Sequence, residues 1–283
     1  MDRRASTHLV ELRADVVVKR YRSWNHDEPR REWRALKLLR EYAPGVAPAP
    51  VSADFTGEPP TVVMSRLAGS PLSGMGSGYP ADDSACVLAD IPAEVLAGTI
   101  ASIQQAIPLC VLAKLPERAG HPVELLRQVR SWCAAGPRPG SDPVVAEAYA
   151  AAADWVERPA LEGSLGRSGR PVFGTGDGNP ANYLWDGTAV RIVDFEYSGR
   201  SDRAYELAEV TEHISVQSGN GTGMADVLER FELDSAEAGR LMDCRRLLAL
   251  FWLLRIRPSV GAAQDRTRRD AEASQSKRLL GLL

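Results

Sequence analysis

Lysine is scarce in this 283-residue chain. It occurs only at Lys19, Lys37, Lys114 and Lys277, and arginine supplies the rest of the 34 basic residues. Each lysine therefore invites a specific explanation. Cysteine is sparse too: Cys86, Cys110, Cys133 and Cys244 form no C-x-x-C pair. That excludes a disulfide framework read from spacing and predicts reduced thiols in a cytoplasm. His8, His26, His121 and His213 are equally scattered, so no zinc-ligand spacing arises. No apolar run reaches the length of a membrane span, and "MDRRASTHLVEL" has no signal-peptide core. A net charge of −3 lacks the basic excess that a nucleic-acid partner demands. The expectation is a cytoplasmic monomer or homodimer that engages neither nucleic acid nor membrane.

What is present divides near residue 70. "HLVEL" and "VVVKRY" read as strands joined by a tight "RAD" connection. "DEPRREWRALKLLREYAPG" reads as a helix, with Pro29 in the first turn and Trp33, Leu36 and Leu39 at helical spacing. "TVVMSRL" is the clearest strand of the next stretch, and the Gly/Ser/Pro-rich "AGSPLSGMGSGYPADDS" marks a change of composition. Segments 84–107, 121–135, 142–160, 204–217, 223–231 and 235–257 favour helix. A hairpin near residue 185 is the only clear β element among them, and the polar end after about residue 260 is expected to fray. The reading is α+β: a β-rich N-terminal unit over 1–67 and a helical unit over 68–283.

That hairpin carries the chemistry. In "GTGDGNPANYLWDGTAVRIVDFE", residues 174–196, the runs "NYLW" and "VRIVDF" flank "DGTA", and Asp-Gly is a strong turn signal. Antiparallel pairing is expected to set Asn182 opposite Asp194, with Cα atoms roughly 4.5–5.5 Å apart. An amide oxygen and a carboxylate so placed suit Mg²⁺, which prefers oxygen ligands. Asp177 stays at the same open end. The spacing D-x-x-x-x-N followed by D-F matches a catalytic Asp, a metal-binding Asn and a metal-binding Asp in phosphoryl transfer. Lys19 after "VVV" fits a phosphate anchor. Glu32 fits its ion-pair partner, with Glu28 one turn earlier as the competing choice.

With "VVVKRY", "EWRALKLL", "VAPAPV", "VVMSRLAGSPL", "GDGNPANYLW", "IVDFE" and "GRSDRAYELAEV" in this order, the chain resembles the aminoglycoside phosphotransferase and choline-kinase-like family over most of its length. The resemblance implies a bilobal protein-kinase-like fold, with a small β-rich N-lobe and a larger helical C-lobe. It implies Asp177 as catalytic aspartate and Asn182 and Asp194 as Mg²⁺ ligands. It further implies Lys19 and Glu32 on the phosphates of ATP or GTP, and an adenine-binding hinge around Met64, Ser65 and Leu67. Two features depart from the family pattern. Thr175 stands where a histidine is usual, which bears on loop geometry. No glycine precedes Gly45, so the phosphate-covering loop lacks its glycine-rich turn, and Ser6 and Thr7 in "RAST" offer hydroxyls instead.

Other residues admit two readings each. Asp202 reads as the N-cap of the next helix, while the family places there an aspartate that braces the catalytic loop. Glu196 suits a place near the metal or a solvated loop. Phe251 and Trp252 suit core or substrate platform, and Arg66, Arg255 and Arg257 suit substrate or solvent. Residues 203–283 hold acids and bases in near balance, with arginine-rich final helices. That disfavours a polycationic aminoglycoside and favours a neutral or acid-bearing hydroxylated compound. The expected activity is O-phosphorylation of such a small molecule, a nucleoside or other antibiotic in a resistance or self-protection setting. A metabolic kinase for choline, homoserine or a sugar, and an inactive nucleotide-binding pseudokinase, are the alternatives.

Overall fold

β-Branched residues and tight turns build the first unit. The structure is a computed structural model that describes residues 8–72, 91–136, 141–167, 169–217, 226–256 and 266–283. Leu9–Leu12 (β1) pairs antiparallel with Val16–Arg20 (β2), Leu9 facing Arg20 and Leu12 facing Val17. Glu28–Tyr42 (α1) follows, with Pro29 in its first turn. Pro50–Asp54 (β3) and Thr61–Ser65 (β4) complete an antiparallel sheet of order β1-β2-β4-β3. Glu32, Ala35, Leu36 and Leu39 form the buried stripe of α1, the i, i+3, i+4, i+7 pattern of a helix that packs on one side only. In the register, Lys19 faces Val10 and Val62, and Val17 faces Leu12 and Met64. Strand alternation puts these six residues on one face of the sheet.

Beyond Ser65 the chain changes partner. Gly69 adopts φ +119°, and Ser70–Pro71 (β5) joins a different sheet, pairing with Tyr183–Trp185. The second unit is mainly helical: Ala93–Gln105 (α2), Leu109–Leu112 (α3), Pro122–Cys133 (α4), Pro143–Val156 (α5) and Leu161–Gly166 (α6). Asp142 caps α5 by accepting the Val144 amide, and Pro143 supplies its first residue. Then come Pro171–Gly174 (β6), Tyr183–Trp185 (β7), Val190–Ile192 (β8) and Gly199–Asp202 (β9). Arg203–Glu212 (α7), Ile214–Gln217 (α8), Ser235–Ile256 (α9) and Arg266–Leu282 (α10) end the chain. Among the described residues no helix is long and apolar enough to cross a membrane.

Three sequence expectations need correcting. The hairpin is not the only β element of the helical unit, because β6 pairs with β9, Pro171 opposite Asp202 through Gly174 opposite Gly199. "PVFG" is too short for its period to be recognised before its distant partner is known. The helix expected over 204–217 breaks at His213, whose backbone leaves the helical region between α7 and α8. The end of the chain does not fray: α10 packs against α9 and α5. Its inward face is partly polar, with Gln275, Ser276, Leu279 and Leu282 buried at helical spacing. Gln275 donates its side-chain amide to the Ala249 carbonyl at 2.9 Å, which makes a buried glutamine tolerable. Composition hid this helix because three of its buried positions, Glu272, Gln275 and Ser276, are polar. Leu279→Ala is expected to cost about 2–5 kcal/mol, read as a lowered urea midpoint at unchanged m-value.

Candidate active site

The tip of the hairpin is set by Asp186, whose carboxylate accepts the Thr188 and Ala189 amides and pairs with Arg191. From there the register runs Trp185 opposite Val190 to Tyr183 opposite Ile192, and Val193 donates its amide to the Asn182 carbonyl at 2.9 Å. Asn182 therefore faces Val193, not Asp194. Asp194 lies one residue further on and adopts φ +68°, a conformation sparsely populated outside glycine that marks functional positions. The expected pairing is one residue out because that backbone reversal lies beyond the regular ladder.

Asp177 sits between two glycines for a steric reason. Gly176 has φ +89° with the Tyr197 backbone against it, and a side chain at Gly178 would collide with the Glu209 carbonyl. The Asp177 carboxylate accepts the Asn179 amide at 2.9 Å and the Asn182 side-chain amide at 3.1 Å. Burial, then the like charges of Asp194 and Glu209, push its carboxyl up to about 7, against these two donors. Asn182 is buried, and with its amide nitrogen committed to Asp177, its amide oxygen is the atom left to act as a ligand.

Across from this pair lies Lys19, which is buried. Its Nζ is 2.7 Å from Glu32 Oε2, from Asp194 Oδ1 and from Glu196 Oε2. Of the five residues expected to share a site, Lys19, Glu32 and Asp194 thus meet directly, Asp177 and Asn182 form a second pair, and the charge of Asp194 couples the two groups electrostatically. Glu32, not Glu28, is the lysine's partner. Glu28 lies 3.5 Å from His8, whose imidazole is 2.9 Å from Glu196. The solvated reading of Glu196 is overturned, because it is 5% exposed. Burial pushes its carboxyl up, yet His8 and Lys19 together hold it down at about 2.

The donor set suits a hard divalent cation. Glu32, Asp194 and Glu196 present carboxylate oxygens within 4.8 Å of one another, and among the described residues Lys19 is the one cation that contacts all three. Burial and the charges of Glu32 and Glu196 push Asp194 up to about 6 against the pull of Lys19, a deficit of positive charge that a cation would correct.

Several supporting residues had no sequence signal. Arg118, 4% exposed, reaches Glu206 at 3.2 Å and Glu209 at 3.1 Å and donates to the Gly176 carbonyl at 2.9 Å. Glu206 accepts the Thr175 amide at 3.1 Å. These groups brace the loop that carries Asp177. Asp202 does not: it caps α7 through the Tyr205 amide and pairs with Arg240 at 2.6 Å. Val10 and Leu12 are 49% and 63% exposed on the sheet face that carries Lys19. Val17 is half-buried and Met64 buried on the same face, which makes an apolar wall beside the lysine. Ser65 and Leu67 are half-buried where β4 ends. Ser6, Thr7 and Arg257 lie outside the described residues. Trp252 and Phe251 are half-buried rather than fully in the core, and with Trp132 they form a contiguous row. Arg66 and Arg255 are exposed.

Residues 3–246 match the model of the phosphotransferase enzyme family. The chain belongs to that family. It is accordingly a phosphotransferase, as the order of its motifs implied. No curated protein sequence matches it. Solved structures resemble it at low identity. One is a choline/ethanolamine kinase family protein from Mesorhizobium loti, with 16% identity, a TM-score of 0.64, and 98% of this chain and 85% of that one covered. Another is the GDP complex of wild-type aminoglycoside 2'-phosphotransferase-IIIa, with 17% identity, a TM-score of 0.60, and 98% and 90% covered. A third is a spectinomycin phosphotransferase in complex with ADP and spectinomycin, with 10% identity, a TM-score of 0.58, and 100% and 92% covered. The fold is the α+β bilobal, kinase-like one, with a small antiparallel N-lobe and a helical C-lobe.

Proposed function

We propose that this phosphotransferase moves the γ-phosphoryl group of ATP or GTP onto a hydroxyl of a small, non-polycationic molecule, with a nucleoside or other hydroxylated antibiotic as the leading acceptor class. The observation that carries the reading is the position of Lys19 Nζ, 2.7 Å from each of Glu32, Asp194 and Glu196. A buried lysine held by three carboxylates beside a half-buried Asp177 and a buried Asn182 is costly to maintain as structure alone.

Asp177 is the base that accepts the acceptor's hydroxyl proton, and Lys19 exchanges carboxylate contacts for phosphate oxygens. Asn182 and Asp194 would hold Mg²⁺, which supplies charge neutralisation on the phosphates when bound. The purine rests against Val10, Leu12, Val17 and Met64. At the hinge, the Ser65 amide is committed to Ala49 and the Arg66 amide to Asp15, which leaves the Leu67 amide as donor to the base. The N-lobe is assigned to residues 1–67 and the C-lobe to 68–283.

For the acceptor, the half-buried row of Trp252, Phe251 and Trp132 begins at His213, beside Asp177. An aromatic wall suits a flat or apolar body better than a polyamine. The names of the antibiotic phosphotransferases among the structural neighbours support the antibiotic setting. A metabolic alcohol is the second class, favoured by the choline/ethanolamine kinase neighbour. Free Cys110, Cys133 and Cys244 suit a cytoplasmic enzyme.

The test is nucleoside diphosphate release with Mg²⁺ and ATP or GTP over aminoglycosides, nucleoside antibiotics, choline, homoserine and sugars. Release stimulated by one acceptor class, and abolished by omitting Mg²⁺, is expected. Nucleotide binding without release for any acceptor would favour the pseudokinase, and absence of both release and Mg²⁺-dependent nucleotide binding would sink the kinase reading and leave a pseudoenzyme.

A further inference from the structure

His213 is one of four histidines scattered along the sequence, yet it is 6% exposed and lies against Asp177. Its backbone is anchored, because its carbonyl accepts the Val216 and Gln217 amides that open α8. Its ring is packed edge-on to Trp252, with centroids 4.6 Å apart. The ring's Nδ1 accepts the Ser215 amide at 3.3 Å. A neutral imidazole whose Nδ1 accepts must carry its proton on Nε2. That nitrogen lies 3.7 Å from Asp177 Oδ1. Burial lowers the imidazole's pKa to about 4, so the ring is neutral throughout the physiological range.

The Asp177 carboxylate already accepts from Asn179 on Oδ1 and from Asn182 on Oδ2. A third N–H therefore points at it from a different element, the junction of α7 and α8. The separation is longer than a hydrogen bond, and contacts of this kind commonly tighten when substrate binds.

We propose that His213 is a positioning residue for phosphoryl transfer: its Nε2–H fixes the orientation of the Asp177 carboxylate that receives the acceptor's proton. The inference rests on Asp177 being the base. The loop itself is held separately, by Arg118 on the Gly176 carbonyl and Glu206 on the Thr175 amide. Misplacing a base by about 1 Å costs up to ~100-fold in rate. The effect should fall on kcat and leave the donor nucleotide's KM alone, because among the described residues the contacts of His213 are to Asp177, Trp252 and the start of α8.

Two measurements decide it. The first is the nitrogen-15 spectrum of histidine-labelled protein, in which His213 should show the Nε2–H tautomer and shift in Asp177→Asn. The second is turnover with Mg²⁺ and ATP or GTP, the acceptor being the best panel compound or, with none, water. His213→Phe, which keeps the ring against Trp252, should lower kcat about tenfold to hundredfold. His213→Gln, whose side-chain amide can place a donor near the Nε2 position, should recover most of that loss. An Nδ1–H tautomer, a resonance unmoved by Asp177→Asn, or a His213→Gln as slow as His213→Phe each overturns the inference. An active wild type beside an equally active His213→Phe overturns it alone. A wild type that releases no diphosphate under any condition brings down the proposed function, and this inference with it.

Discussion

Asp177→Asn is expected to lower turnover by about 10²–10⁴-fold while nucleotide binding persists, because the substitution removes a proton acceptor and keeps the shape. Asparagine can still accept the Asn179 amide, so the loop has a reason to stay in place. Two controls separate lost chemistry from lost structure. The first is the pH profile. With the Asp177 carboxyl raised to about 7, kcat/KM should fall as pH drops through 7, since the protonated acid cannot take the hydroxyl proton. The residual activity of the asparagine variant should lack that limb. The second is stability, where the sign is fixed by linkage. A carboxyl whose folded pKa lies above its unfolded value opposes folding once it ionises, so its cost is present above pH 7 and absent near pH 4. Asp177→Asn should therefore melt at or above the wild-type temperature at pH 8, with the difference shrinking toward pH 4. A dead variant that also melted early would point to misfolding.

Arg118→Leu should produce the largest loss of stability. The guanidinium is buried, donates to the carbonyls of Gly176 and Ala119, and meets Glu206 and Glu209 while lying 4.8 Å from the Tyr205 ring centroid. Burial already raises the Glu209 carboxyl, and Arg118 is the charge that pulls it down. Removing the cation strands two buried carboxylates, a change that costs about 3–5 kcal/mol. The Gly176 carbonyl loses its tether at the same time, so turnover should fall together with the urea midpoint. Arg118→Lys should recover only part of both, because a point ammonium cannot span two carboxylates and a carbonyl as the planar fork does. A lysine variant as stable as wild type would show that charge alone, and not the three-way geometry, is what the loop requires.

The residues of the proposed site that were legible in the chain share a property: each takes its role from a local element. Lys19 ends a β-branched run, Glu32 opens the apolar stripe of a helix, and Asp177, Asn182 and Asp194 surround one hairpin. Spacing along such elements translates directly into placement, and the order of the motifs was enough to identify the family and the bilobal fold. Even there, the left-handed turn at Asp194 shifted the expected pairing by one residue.

What stayed hidden depends on partners far away in the chain. Arg118 meets Gly176 across 58 positions and Glu206 across 88, and Lys19 meets Asp194 across 175. A buried arginine, a buried Glu196 and a buried His213 look in sequence like ordinary polar residues, because whether a charge is desolvated is settled by what packs over it. The same holds for α10, where Gln275 is acceptable in the core only because the Ala249 carbonyl is there to receive its amide. Local periodicity and turn chemistry set the elements and named the chemistry. Burial and pairing of charge, which tune Asp177 and bring His213 to it, arise only when distant segments exclude water together.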